Sequence, residues 1–278
     1  MSSAQLPSWT AWRYFPNHAL ESSLTRLEWH AHIDPTLFRA AFQHVVSTND
    51  ALRLVFGETD GTPWQKVLCV KDMRDTLEIK DFSQTQNPRS EAEAWLDQMV
   101  SQPFDLTLRS YYSAMARVGK AHWLFQINAH HAVLDFHAKS LLISRLDEAY
   151  REVSRGEKTA PENCPSYLGY LAERPKSEPR PETQPAEPLD PFARATPLLP
   201  REPRSLQMPR SVIRQTRLLG PKRVASLRRA AGLENTKQRR FHTPLAFHAC
   251  VAVTLVMMSR VSGEPNVQMG VASSGRFD

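Results

Sequence analysis

The stretch NAHHAVLDFHAKS, Asn128 to Ser140, places three histidines and an aspartate directly after a run of strand-forming residues. Upstream, Trp123, Phe125, Ile127 and Ala129 alternate onto one face, the period of a strand over His122 to Ala129. Downstream, Leu142, Leu146, Ala149, Tyr150 and Val153 recur at helical spacing, which predicts a helix from about His137 to Val153. The histidine pair therefore sits on a short strand-to-helix loop. Three readings of it are open. A metal could take His130, His131, His137 and Asp135, but neighbouring side chains on a strand end diverge, no cysteine lies close and there is no HExxH pattern. An ordinary polar loop is the plain reading. A catalytic histidine is the third: an imidazole titrates near neutrality and can take a proton from an amine or hydroxyl nucleophile.

Working outward, Asp34 and Pro35 read as cap and first residue of a helix over 34–46, with Leu37, Ala40, Ala41, His44 and Val45 at helical spacing. Residues 51–56 and 64–70 read as paired strands around a turn at 57–63. Residues 90–100 read as a helix capped by Ser90, and Tyr111 to Val118 as a strand joined to His122–Ala129 at Gly119–Lys120. Twelve of the 21 prolines then fall between Pro161 and Pro209, which predicts an extended crossover or linker. Beyond it, residues 211–220 read as a strand, Pro221 to Ala231 as a helix, and Thr243–Pro244 as the start of an apolar helix to about Val261, closed by Gly263. Asn266 to Ala272 reads as a last strand. The organisation is α+β: a first lobe over 1–160, the crossover over 161–209, and the start of a second lobe over 210–278.

The net charge is +6 with 41% hydrophobic residues. A basic surface suits an acidic partner. Lys237, Arg239 and Arg240, with Arg228 and Arg229, match no nucleic-acid motif and read as a loop and a helix face, so nucleic acid is not the expected partner. Cys69, Cys164 and Cys250 form no framework, which fits a reducing compartment. The first residues lack a signal-peptide pattern, and the most apolar run, Ala249 to Met258, is too short to span a bilayer. A soluble, cytoplasmic protein is expected.

Several stretches together carry a resemblance. His130-His131-Ala132-Val133-Leu134-Asp135 resembles the HHxxxDG motif of condensation domains of nonribosomal peptide synthetases, members of the chloramphenicol acetyltransferase-like superfamily. Ser2, Ala4, Gln5 and Trp9 resemble the family's opening SxAQ…W motif. Leu52, Arg53 and Phe56 resemble RHExLRTxF, with Asp50 in place of Glu; GTPWQKV (61–67) and QPFDL (102–106) resemble the segments that follow, and NVQMGVASSGR (266–276) resembles a later strand motif. The likeness runs over essentially the whole chain, in the family's order.

The resemblance implies a two-lobe fold of mixed sheets and flanking helices, with a tunnel between the lobes. It implies amide formation between a carrier-bound acyl or aminoacyl thioester and a carrier-bound amine, with an ester-forming acyltransferase or a non-catalytic carrier-binding scaffold as alternatives. Substrates would arrive on the phosphopantetheine arms of carrier-protein domains, with no cofactor or metal bound to the chain. Carried over, His131 is the central base or intermediate-stabilising group, flanked by His130 and Asp135. Asp135 is expected to pair with Arg276, or alternatively Arg53. Phe136 and His137 are expected to line the tunnel, and Arg239 and Arg240 to help dock an acidic carrier protein. Two departures stand out. Phe136 replaces the motif glycine, and the second lobe stops before the family's floor loop and latch strand. Adjacent synthetase domains or a missing C-terminal half are therefore expected partners, without which Val251, Leu255 and Met258 would be exposed.

Overall fold

A computed structural model describes residues 1–157, apart from Ser3, Leu20 and 74–76, and then 166–173, 218–230 and 244–270. The chain divides into two compact units, Met1–Glu178 and Pro179–Asp278.

The first unit is built on a four-stranded sheet of β1 (Ser22–Trp29), β4 (Leu77–Asp81), β5 (Tyr111–Gly119) and β6 (His122–His130), in the order β1-β6-β5-β4. β6 pairs antiparallel with β1 and β5, and β4 runs parallel to β5. A separate hairpin joins β2 (Leu54–Thr59) to β3 (Thr62–Val67) through Asp60–Gly61. Both turn residues have positive φ, 49° and 74°, the backbone a two-residue hairpin turn requires. The hairpin turn is therefore two residues long, not the seven expected. Asp50–Arg53 forms a 3-10 turn where a strand was expected, because the first strand begins only at Leu54.

Helices cover both faces of the sheet. On one face, α2 (Pro35–Thr48) and α4 (Phe136–Ser154) pack Phe38, Phe42, Val45, Leu142 and Leu146 onto Tyr111, Met115, Trp123, Phe125, Ile127 and Ala129. On the other, α3 (Pro88–Val100) packs Ala92, Leu96 and Met99 onto Ala114, Ala116, Val118 and Leu124. This is why Gln126 and Asn128, on the opposite face of β6 from Phe125, are buried too. The Gln126 amide donates to the Leu96 carbonyl (2.9 Å), and the Asn128 oxygen accepts from Ser22 Oγ (2.6 Å), while the Asn128 Nδ2 is buried without a partner among the described residues.

Local chemistry sets the helix starts. Asp34 accepts hydrogen bonds from the N–H groups of Thr36 and Leu37, and Pro35 occupies the first turn of α2. The buried stripe of α2 is Phe38, Ala41, Phe42, Val45 and Val46; of the expected face, Ala41 and Val45 are buried, while Leu37 and His44 are half-buried and Ala40 is exposed. α3 begins at Pro88, not Ser90, with the Glu91 carboxylate accepting from the Asn87 N–H (3.2 Å). β1, β4, α1 (Leu6–Tyr14) and α5 (Tyr167–Glu173) were not anticipated.

In the second unit, α6 spans Pro221–Ala230 and α7 spans Pro244–Ser262. Gly263, at φ 74°, closes α7 by donating its N–H to the Ser259 carbonyl. Val253, Val256 and Met257 are each 53% exposed, while Val251, Leu255 and Met258 are half-buried, so the outward apolar face is not the one expected. The expected strand at 211–220 lies largely outside the described residues. Asn266–Gly270 pairs with no strand among them, since a strand exists only where a neighbour takes its N–H and C=O groups.

Candidate active site

The His130–Asp135 segment leaves the end of β6 and turns into α4. Three of its backbone groups are held from different directions. The His130 N–H donates to the Ser110 carbonyl (2.8 Å) and the His131 N–H to the Glu21 carbonyl (2.8 Å). Gln5 donates its side-chain amide to the Ala132 carbonyl (3.1 Å). The Gln5 oxygen in turn accepts from the N–H and hydroxyl of Ser2, both at 3.0 Å. Below the loop lie Trp9, Leu54, Phe56, Phe104, Leu106 and Ala132, one apolar cluster drawn from separate segments of the chain. The SxAQ…W, LRxxF and PFDL stretches thus converge on the histidine loop.

The two histidines face opposite environments. His130 is 1% exposed and packs edge-on to Phe104, ring centroids 5.5 Å apart. Its Nδ1 accepts from the Ala132 N–H (3.2 Å). Burial, and secondarily the neighbouring His131, push its pKa down to about 4, so it is neutral at physiological pH. His131 is exposed, on a loop whose backbone is fixed on both sides. The pair is therefore one supporting ring and one presented ring.

Asp135 is the N-cap of α4: its carboxylate accepts from the Ala138 N–H at 2.7 Å. Phe136 is the first helical residue and is absent from the positive-φ positions, so this backbone does not demand glycine. Its ring is 82% exposed, and His137 beside it is exposed as well. Four residues past Asp135, Lys139 is buried in α4 and reaches back to β1, donating to Ser23 Oγ (2.8 Å) and the Leu24 carbonyl (3.3 Å). Burial lowers the lysine's pKa, and the Asp135 charge works against that shift.

Arg53 is engaged locally, by Asp50 (2.7 Å) and the Leu68 carbonyl (2.8 Å). The other Asp50 oxygen accepts from Ser166 Oγ and the Tyr167 N–H, which ties α5 to the same turn. Arg276, Arg239 and Arg240 lie outside the described residues. Glu21, Ser110 and Lys139 were missed from sequence. The first two act through backbone carbonyls, which no side-chain pattern reports. Lys139 stood at i+4 from Asp135, a helical pairing distance that could have flagged it.

Comparison with known proteins agrees with this geometry. The condensation-domain family model matches residues 1–278. Among curated relatives, an isonitrile lipopeptide synthase of Streptomyces coeruleorubidus is 28% identical over 159 residues, 56% of this chain and 11% of that protein. A dimodular nonribosomal peptide synthase of Bacillus subtilis (strain 168) is 24% identical over 174 residues, 62% of this chain and 7% of the relative. The chain thus spans a small part of the relatives it matches. The starter condensation domain of rhizomide synthetase superposes with a TM-score of 0.57 at 25% identity, covering 62% of this chain and 43% of that one. The first condensation domain of the calcium-dependent antibiotic synthetase, in complex with a substrate analogue, gives 0.69 at 22% identity over 95% of this chain and 60% of the other. The fold is the chloramphenicol acetyltransferase-like α+β fold, and the chain belongs to the condensation-domain family.

Proposed function

We propose that this chain is the acyl-transfer part of a peptide synthetase, joining a carrier-bound acyl or aminoacyl thioester to a carrier-bound amine. The observation that supports this best is the presentation of His131: an exposed imidazole on a loop held by Glu21, Gln5 and Ser110, beside a capped helix start. In the reaction the amine nitrogen bonds to the thioester carbonyl carbon, the C–S bond breaks, and the thiol leaves with a proton. His131 accepts the proton lost by the amine or stabilises the tetrahedral intermediate. General-base assistance contributes roughly 10²–10⁴-fold, and holding two tethered reactants together supplies much of the rest. His130 supports the loop and Asp135 sets the start of α4. Arg276 is proposed as Asp135's cross-lobe partner, Phe136 and His137 as lining of the approach to His131, and Arg239 and Arg240 as carrier-docking residues. The phosphopantetheine arm belongs to the carrier domain, so the chain needs no cofactor of its own. Partners are carrier and neighbouring synthetase domains in the cytoplasm. Among the described residues no helix is long and apolar enough to cross a membrane.

A second reading, a carrier-binding scaffold without chemistry, is favoured by one feature: Phe136, 82% exposed at the first position of α4, stands where the family motif has glycine. The deciding experiment loads donor and acceptor panels onto carrier proteins and reads condensed product by intact mass. Product from the parent and none from His131→Ala supports the acyltransferase. Equal product from both removes His131 from the mechanism. Carrier binding without product from either supports the scaffold.

A further inference from the structure

We propose that Glu28, His30 and His122 form a zinc-binding site at the end of the sheet remote from His131. Glu28 lies near the end of β1, and His30 follows two residues later, so the strand period puts both on one side. The register Trp29↔Trp123 sets His30 opposite His122, the first residue of β6. The three donor atoms all lie within 4.8 Å of one another. The Glu28 Oε1 atom is 2.7 Å from His122 Nε2 and 3.5 Å from His30 Nε2, and the two rings stack with centroids 4.3 Å apart.

These distances bracket the spacing of about 3.3 Å between donors around a tetrahedral zinc with bonds near 2.0–2.1 Å. The Glu28–His122 contact has to open by about half an ångström on that geometry, and the two stacked rings have to turn so that both nitrogen lone pairs face the ion. Two imidazoles and one carboxylate select a borderline ion such as Zn²⁺ over calcium or magnesium, which prefer all-oxygen sites. Part of the donor set is exposed, so water completes the coordination. His122 and His130 occupy opposite ends of β6, roughly 26 Å apart at about 3.3 Å per residue. The ion would therefore clamp the edge strand β1 to β6 and take no part in acyl transfer.

Arg89 is the resident competitor. Its guanidinium donates to both Glu28 oxygens, at 2.8 and 3.1 Å, and also pairs with Glu93. A bound zinc has to share that carboxylate with Arg89 or displace it.

The test titrates Zn²⁺ into the metal-stripped full chain against a chromophoric chelator, with thermal unfolding followed in parallel. One ion is expected, with a zinc-dependent rise in Tm. His122→Asn and His30→Asn should each weaken binding by about tenfold or more. His30 is largely exposed, so that variant keeps the fold even where His122→Asn disturbs the strand pair. Arg89→Gln should tighten binding by freeing Glu28. The proposal is overturned if the parent shows no zinc-dependent rise in Tm. It is also overturned if both histidine variants keep full affinity, which puts the ion on other histidines or cysteines. Unchanged or weaker affinity in Arg89→Gln removes Glu28 from the site.

Discussion

The side-chain amide of Gln5 donates to the carbonyl of Ala132, and both groups are buried although 127 residues separate them in the chain. One end of the Gln5 amide is fixed by Ser2 and the other holds the loop that presents His131. The chain's opening motif is thus a brace for its central one. Gln5→Ala leaves the Ala132 carbonyl without that donor. The expected cost is about 1–3 kcal/mol of stability, read from denaturant midpoints. Condensation should fall as well. Gln5→Glu should fare no better, because a carboxylate cannot donate to a carbonyl; full activity in either variant would mean the loop holds without its brace.

His130 makes the fold sensitive to acid. Its pKa is about 4 in the folded chain against about 6.5 unfolded, so the unfolded state binds the proton first as pH falls. Its contribution is constant above pH 6.5 and is lost between about pH 6.5 and 4. The loss totals about 3 kcal/mol at 1.36 kcal/mol per pKa unit. Urea midpoints across that window should slope more steeply for the parent than for His130→Gln, which lacks the titrating ring. Parallel slopes would place the acid sensitivity of that window on another group; Glu28 and Asp81, whose carboxyls are held low by their partners, lose their contribution only at lower pH.

Asp50 binds two elements at once, Arg53 through one oxygen and the start of α5 through the other. Both partners of the ion pair are largely shielded, 14% and 16% exposed. Asp50→Ala strands a shielded guanidinium and releases α5. A stability loss of about 2–4 kcal/mol is expected, together with faster proteolysis at Tyr167–Glu173. Asp50→Glu, the residue the family motif carries at this place, should restore most of it. Failure of the glutamate to rescue would show that the shorter side chain is required by the geometry of this turn.

Phe136 bears on activity more than on stability. Because its ring is 82% exposed at the first position of α4, Phe136→Gly should change stability by no more than about 1 kcal/mol. If the ring restricts the approach to His131, the same variant raises product formation with bulky donors more than with small ones. An equal effect on both would mean the phenyl group does not select by size.

Much of this protein was legible residue by residue. Alternation in Trp123–Ala129 and the heptad-like seam of Leu142, Leu146 and Ala149 announced β6 and α4, because each buries an apolar face whose period is local. Asp34 and Pro35 marked the start of α2 by capping chemistry alone. The histidine loop and its aspartate could be found by motif, and with them the family. β1 escaped because SSLTRLEW is an edge strand with mixed burial and a weak alternation. On α2, Ala41 and Val45 were read correctly as inward, but Phe38 and Phe42 were passed over for Leu37, Ala40 and His44, because only packing against Phe125 and Tyr111 decides which of two adjacent faces turns inward.

By itself the sequence determined which residues are chemically capable: two adjacent histidines, a capping aspartate, and the order of segments that builds an α+β lobe. Only the tertiary structure decided which histidine is presented. His130 and His131 are identical in chemistry and adjacent in the chain. They differ because successive side chains at a strand end point to opposite sides, and only one of those sides is filled, by Phe104 and its neighbours. Desolvation then keeps the inner ring neutral while the outer one remains in contact with water. That difference comes from residues far away in sequence, and no local pattern encodes it.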